Sequence, residues 1–298
     1  MHCCEAFGAP LDALHIPTKD RFRVSMGEGL FQLRGEGQLD IWSRIEEYTQ
    51  REMTYDSDAL NGMLGLLRAF GNKKPMSQIW GLPIFYGLYH EPSGPRRPVD
   101  QLIKALCWKL AKKSKRRREF PSWSWTGWKG AVCTRYVGTL LDREFSAAQN
   151  LEIYVQDSSN QEVKWQTLVN KPFTPTLRIS TDLTIKAPIF RISFYYHPTQ
   201  YWTPKVLRYR SNEMAECNPF HLCKDTSSDL TFLNRLQTES FTGIVVGDSQ
   251  DRSIPEYLVL VVDEDGGDGD GAERIGFFVI ERAHVMRMSR KTTRIKIQ

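Results

Sequence analysis

At 298 residues, with 41% hydrophobic and 25% charged side chains, the chain has room for about two domains. Its 15 Phe, 11 Tyr and 8 Trp supply the bulk for a substantial core, which excludes a disordered chain and removes the need for metal or disulfide help. The net charge of +5 is modest, and seven of the ten residues from Lys109 to Arg118 are basic, so the excess is more local than a nucleic-acid footprint.

The first residues, Met1-His-Cys-Cys-Glu-Ala-Phe-Gly-Ala-Pro10, lack the charged start and apolar core of a signal peptide. No apolar run approaches the roughly 18 residues of a membrane span. Six irregularly spaced cysteines in so long a chain read as reduced thiols, and the protein reads as cytoplasmic.

Up to residue 40, prolines and glycines interrupt short apolar pieces, which predicts an irregular lead-in. From Leu39, Trp42, Ile45, Tyr48 and Thr49 recur at helical spacing, opposite Glu46, Glu47, Gln50 and Arg51. A second helix is predicted with Asp56 and Ser57 as caps, a stripe of Leu60, Met63, Leu64, Leu67 and Phe70, and Gly71 as its stop. Ile79 to Tyr86 is apolar but broken by Gly81 and Pro83, suiting a buried extended segment or turn. A third helix is expected from Pro98 through Leu110, running out into the basic stretch.

Then comes Phe120-Pro-Ser-Trp-Ser-Trp-Thr-Gly-Trp-Lys-Gly130, three tryptophans within six residues. Beyond it the pattern changes. Leu151–Val155, Leu183–Ala187, Ile189–Tyr196, Gly243–Val246, Tyr257–Val262, Arg274–Ile280 and Thr293–Ile297 are alternating, β-branched or aromatic, and predict strands of a mostly antiparallel sheet. The expected fold class is α+β, a helical N-terminal half joined to an antiparallel β-rich C-terminal half. Its parts are a lead-in (1–40), a helical region ending in the Trp motif (41–130) and a β-rich domain (131–298).

The Trp motif resembles the Pro-Ser-Trp-Ser-Trp-x-Gly-Trp signature of fungal heterokaryon-incompatibility (HET) domain proteins. Further segments follow in the same order: Tyr48-Thr-Gln-Arg-Glu-Met-Thr-Tyr-Asp-Ser-Asp-Ala-Leu60, Trp80-Gly-Leu-Pro-Ile84, Leu106-Cys-Trp108, and Glu273-Arg-Ile-Gly276 ahead of Phe278-Val-Ile280. The resemblance covers residues 40 to 130 well and 180 to 298 loosely. It implies a role in fungal non-self recognition and cell death. The family's N-terminal region, likened to TIR domains of which some consume NAD, has no counterpart here beyond Met1 to Glu5. The chain is therefore expected to be the downstream portion of such a protein, through gene structure or the way the sequence was defined. It is expected to be non-enzymatic and without cofactor, acting through an unknown protein partner or the missing domain; the alternatives are part of a TIR-like NAD-consuming enzyme whose catalytic half is missing, and a nucleic-acid-binding module using the basic run 109–118.

Trp80, Trp108, Pro121, Trp123, Trp125, Gly127 and Trp128 are the candidate structural motif or interface. Packing at a joint between the two halves is favoured over a binding platform, with interface anchoring the main competitor. Lys112, Lys113, Lys115, Arg116, Arg117 and Arg118 form a possible basic patch for nuclear entry or nucleic acid. Their setting favours a solvated turn, and nucleic acid is not the expected partner. Cys217, His221 and Cys223 suggest zinc, but lack the tighter spacing and second pair that a structural site needs. Asp263 to Gly271 has calcium-loop composition without EF-hand order, and a mobile hairpin loop is expected. The six histidines are scattered, and no nucleophile elbow or phosphate loop occurs.

Overall fold

A computed structural model describes residues 38–85, 97–112, 114–133, 145–169, 179–197, 201–207, 214–216, 221–223, 229–249, 255–266, 271–282 and 292–298. Helix α1 (Gln38–Thr49) buries Ile41, Trp42, Ile45 and Thr49, the face its spacing marks out. The Thr49 hydroxyl donates to the Ile45 carbonyl and accepts the Val132 N–H at 2.9 Å, fixing the helix end to the chain beyond the Trp motif. Helix α2 (Asp58–Lys73) buries Ala59, Met63, Leu67 and Phe70, while Leu60 and Leu64 are only half-buried.

Two details of α2 differ from expectation. The helix runs past Gly71, which is interior, and stops at an extended Lys74. Ser57 makes no side-chain cap, and Asp56 accepts instead from Arg117 Nε at 3.2 Å and pairs with Lys129 Nζ at 2.6 Å. A carboxylate between two cations gains more than one capping a single backbone N–H.

Strands β1 (Met76–Ile79) and β2 (Leu82–Phe85) make a fully buried antiparallel hairpin. Helix α3 (Pro98–Leu106) follows and is buried on every side, including Asp100, Gln101 and Lys104. Asp100 caps the Arg97 N–H at 3.1 Å and also accepts the Ala147 N–H at 2.6 Å. The predicted continuation to Leu110 does not form, because Lys109–Leu110 is strand β3, paired with β4 (Val132–Cys133).

The remaining elements are β5 (Phe145–Ala147), β6 (Glu152–Gln156), β7 (Glu162–Lys164), α4 (Trp165–Val169), β8 (Leu183–His197), β9 (Tyr201–Leu207), β10 (Met214–Glu216) and β11 (His221–Leu222). After them come α5 (Leu230–Thr238), β12 (Ser240–Ser249), β13 (Glu256–Asp263), β14 (Glu273–Glu281) and β15 (Thr292–Ile297). Strand β6 alternates buried and half-buried residues, as a sheet with one wet face must. The continuous apolar runs of β13 and β14 are buried on both faces.

Eleven strands form one connected antiparallel sheet along β10-β9-β8-β12-β13-β14-β11, with β5, β6, β7 and β15 paired off that path. The long β8 carries β6 and β15 along its first half, then β12 and β9 along its second. A single parallel bridge joins Ala272, the residue before β14, to Ile297 of β15, so the pairings β8-β12-β13-β14 and β15-β8 close into a circuit through that one bridge.

This architecture overturns the expected helical N-terminal half. Gly35–Gln298 is a single, mostly β unit. The reason lies in α3, which packs on β2, β5, β12 and α4, so this helix is built into the sheet's core instead of standing beside it. Among the described residues no helix is long and apolar enough to cross a membrane.

Candidate functional site

The Trp motif closes an irregular antiparallel ladder. From the β3–β4 pairing it continues through Ala111 N–H to the Ala131 carbonyl, Lys129 N–H to the Lys115 carbonyl, and the Arg116 to Trp128 bridge. The motif is the tip of this ladder, folded inward: every residue from Phe120 to Trp128 is buried.

Such burial requires that each polar group find a partner. The indole N–H of Trp108 donates to the Trp123 carbonyl at 3.0 Å, that of Trp123 to Thr181 at 2.7 Å, that of Trp125 to Gly81 at 2.9 Å, and that of Trp128 to Ser122 at 2.9 Å. All four acceptors are main-chain oxygens. A ring whose N–H is committed to the backbone and whose faces are inside has nothing to offer a ligand, so this arrangement is a joint.

The hairpin tip is its socket. Trp80 and Gly81 both have positive φ, 48° and 89°, the pattern of a type I′ turn. For a side chain as large as Trp80 this conformation is strained. Its carbonyl accepts from Ser124 Oγ at 2.5 Å and Thr126 Oγ1 at 3.1 Å, and its indole donates to the Ser180 carbonyl at 3.0 Å, which holds it there. A Cβ on Gly81 would meet Trp125 Cζ2 at 2.8 Å, and one on Gly127 would overlap the Pro121 carbonyl and the Arg116 guanidinium. Pro121 is buried, and its carbonyl takes the Ser124 N–H.

Ser122 connects the joint to the sheet's closure. Its N–H and hydroxyl both reach the Gln298 carbonyl, and its oxygen accepts the Arg274 N–H at 2.9 Å. The Arg274 side chain is fully buried. Its guanidinium lies 4.0 Å from the Trp108 ring centroid, donates to the Trp108 carbonyl at 2.8 Å and approaches Cys223 Sγ at 3.6 Å. Its Nε has no hydrogen-bond partner and no described carboxylate pairs with it, so burial lowers its pKa. The indole face is its main electrostatic partner.

The basic run, expected as a solvated turn, is solvated only in part. Arg116 donates to the carbonyls of Arg117, Gly127 and Phe120 and lies over Trp128. Arg117 is buried and reaches Asp56, the Thr126 and Trp128 carbonyls and Met53 Sδ. Carbonyls gathered in the inward-folded tip draw both guanidinium groups in. Lys112, Lys115 and Arg118 are exposed, while Lys113 lies outside the described residues. Sequence reasoning missed this division. Its one signal was the alternation of the run with the motif across a hairpin.

Of the zinc candidates, Cys217 lies outside the described residues, and His221 is described only as backbone paired with Phe277. Cys223 faces a guanidinium, a poor neighbour for a metal ligand, and burial raises its pKa. Cys107, beside Arg274, is pushed up to about 12 by burial. Among the described residues no three His, Cys, Asp or Glu side chains group to hold a metal. Asp263, from the calcium-like loop, is buried and held by Arg235 of α5 through two bonds of 3.0 and 2.7 Å. Residues 267–270 of that loop lie outside the described residues.

Comparison with known protein families, with characterised proteins and with solved structures found no match.

Proposed function

We propose that this chain is a non-enzymatic regulatory or interaction portion of a heterokaryon-incompatibility-type protein, acting in the cytoplasm in fungal non-self recognition and cell death. The support is the motif resemblance together with one structural observation: the signature's tryptophans have their indole N–H groups committed to main-chain carbonyls. A signature of this kind serves the architecture, and recognition falls to surfaces carried on it.

Incubation of the purified chain with NAD tests the reading against the family's NAD-consuming alternative. The expected result is no turnover above a heat-denatured control, and steady turnover would overturn the proposal. The nucleic-acid reading loses support at its own residues, since Arg116 and Arg117 are engaged inside the joint.

A further inference from the structure

Between α1 and α2 the sulfur of Met53 meets the joint from its outer side. Arg117 is buried, its side chain 7% exposed, and its three nitrogens have unlike partners. Nε donates to the Asp56 carboxylate and Nη1 to the Thr126 and Trp128 carbonyls, whereas Nη2 reaches Met53 Sδ at 3.8 Å. A thioether is a weak acceptor, so one arm of a buried cation ends on a poor partner. The Tyr48 hydroxyl also lies 3.9 Å from that sulfur, but its single proton goes to the Asp58 carbonyl at 2.9 Å, which leaves the guanidinium as the donor.

Met53 is half-buried, whereas Met63 and Met76 are 2% and 0% exposed. An oxidant from solvent therefore meets Met53 before those two. We propose that Met53 is a modification site for hydroperoxides and that its sulfoxide strengthens the joint. With hydrogen peroxide, a sulfur lone pair attacks one peroxide oxygen, the O–O bond breaks, and the proton on the transferred oxygen passes to the departing hydroxide. Sulfur gives up two electrons, the peroxide takes them, and water leaves. The sulfoxide oxygen is a strong acceptor on a flexible side chain, which can turn it to Arg117 Nη2 for a charge-assisted hydrogen bond. Through Arg117 that bond bears on Thr126 and Trp128 of the Trp motif. The site goes beyond the interaction reading and does not depend on it.

The test treats the full chain with hydrogen peroxide, follows each methionine by peptide mass spectrometry and measures thermal unfolding. Met53 is expected to oxidise roughly tenfold faster than Met63 and Met76. Oxidation is expected to raise the unfolding midpoint by about 2 °C relative to its effect on a Met53→Leu chain treated alike, and methionine sulfoxide reductases should reverse the gain. Met53→Gln, which places an amide oxygen near the same donor, is expected to melt above Met53→Leu with no peroxide present, so the acceptor is checked apart from oxidation elsewhere. Should Met53→Leu fail to fold, the parent's own shift and its reversal by the reductases decide. Oxidation of Met53 no faster than of the two buried methionines, a parent that shifts no more than Met53→Leu, or a Gln variant no more stable than the Leu variant would overturn the proposal.

Discussion

Glycines at three positions show how differently one residue type can be used. Gly127 sits where a methyl group would overlap a main-chain carbonyl that cannot swing aside. Gly127→Ala should therefore destabilise the chain by about 3 kcal/mol or more, as overpacked interiors do. Gly81 adds a backbone demand, since its φ of 89° is one that L side chains rarely adopt. Gly65, exposed on α2 with open space around it, has neither constraint. Gly65→Ala should stabilise by up to about 1 kcal/mol through helix propensity alone. Chemical denaturation of the two alanine variants checks both signs, and a Gly127→Ala protein as stable as the parent would contradict the packing described.

Among the elements, β6, β7 and β8 are tied on their wet face by Glu152, which holds Lys164 from β7 and Lys186 from β8. These hydrogen bonds, that from Lys164 first, draw the Glu152 pKa from 4.5 to about 2. A folded-state value below the unfolded one means stability present above the unfolded pKa and lost as pH falls toward the folded value. Glu152→Gln should therefore flatten the acid limb between about pH 4.5 and pH 2, with its loss of stability present at neutral pH and vanishing toward pH 2, and modest throughout because solvent screens the pairs. Thermal unfolding across that range would show it, and a parallel acid limb in the variant would count against the linkage.

Elements were legible in the sequence where periodicity was imposed locally. The faces of α1 and the strands from Leu183 onward are read from spacing and β-branched content, because each needs only its own side chains to be recognised. The end of α3 was not legible, since it is set by Trp108, whose carbonyl and indole are claimed by Arg274 and Trp123, 166 and 15 residues away. Asp56 was misread for the same reason, its partners Arg117 and Lys129 lying across the fold. In the motif, the turn residues were readable, but the inward course of two arginines depended on carbonyls that only the folded tip presents.

At the scale of the whole molecule, the division into a helical half and a β half fails because the core of one is the core of the other. Helix α3 contacts β5 and β12, Thr49 of α1 bonds to β4, and Ser122 reaches the last residue of the sequence. A fragment beginning at residue 131 loses α3, Trp108 and the motif together, leaving Arg274 without its indole and the closed circuit without Ser122. Such a fragment should not fold alone, whereas residues 35–298 should unfold in one transition. Near-ultraviolet dichroism and proton NMR dispersion distinguish the outcomes, and a well-dispersed spectrum from the fragment would refute the single-core reading.

The three motif indoles, with those of Trp80 and Trp108, all bond to main-chain oxygens, which also explains why the signature is spelled with tryptophan. Phenylalanine would fill much of the same space, but it has no N–H, and each exchange would strand a buried carbonyl. The acceptors belong to the backbone, which is the same whatever side chains surround it. The letters of the motif are therefore fixed by the path of the chain, and a sequence can keep them while the surface it shows to partners is rewritten.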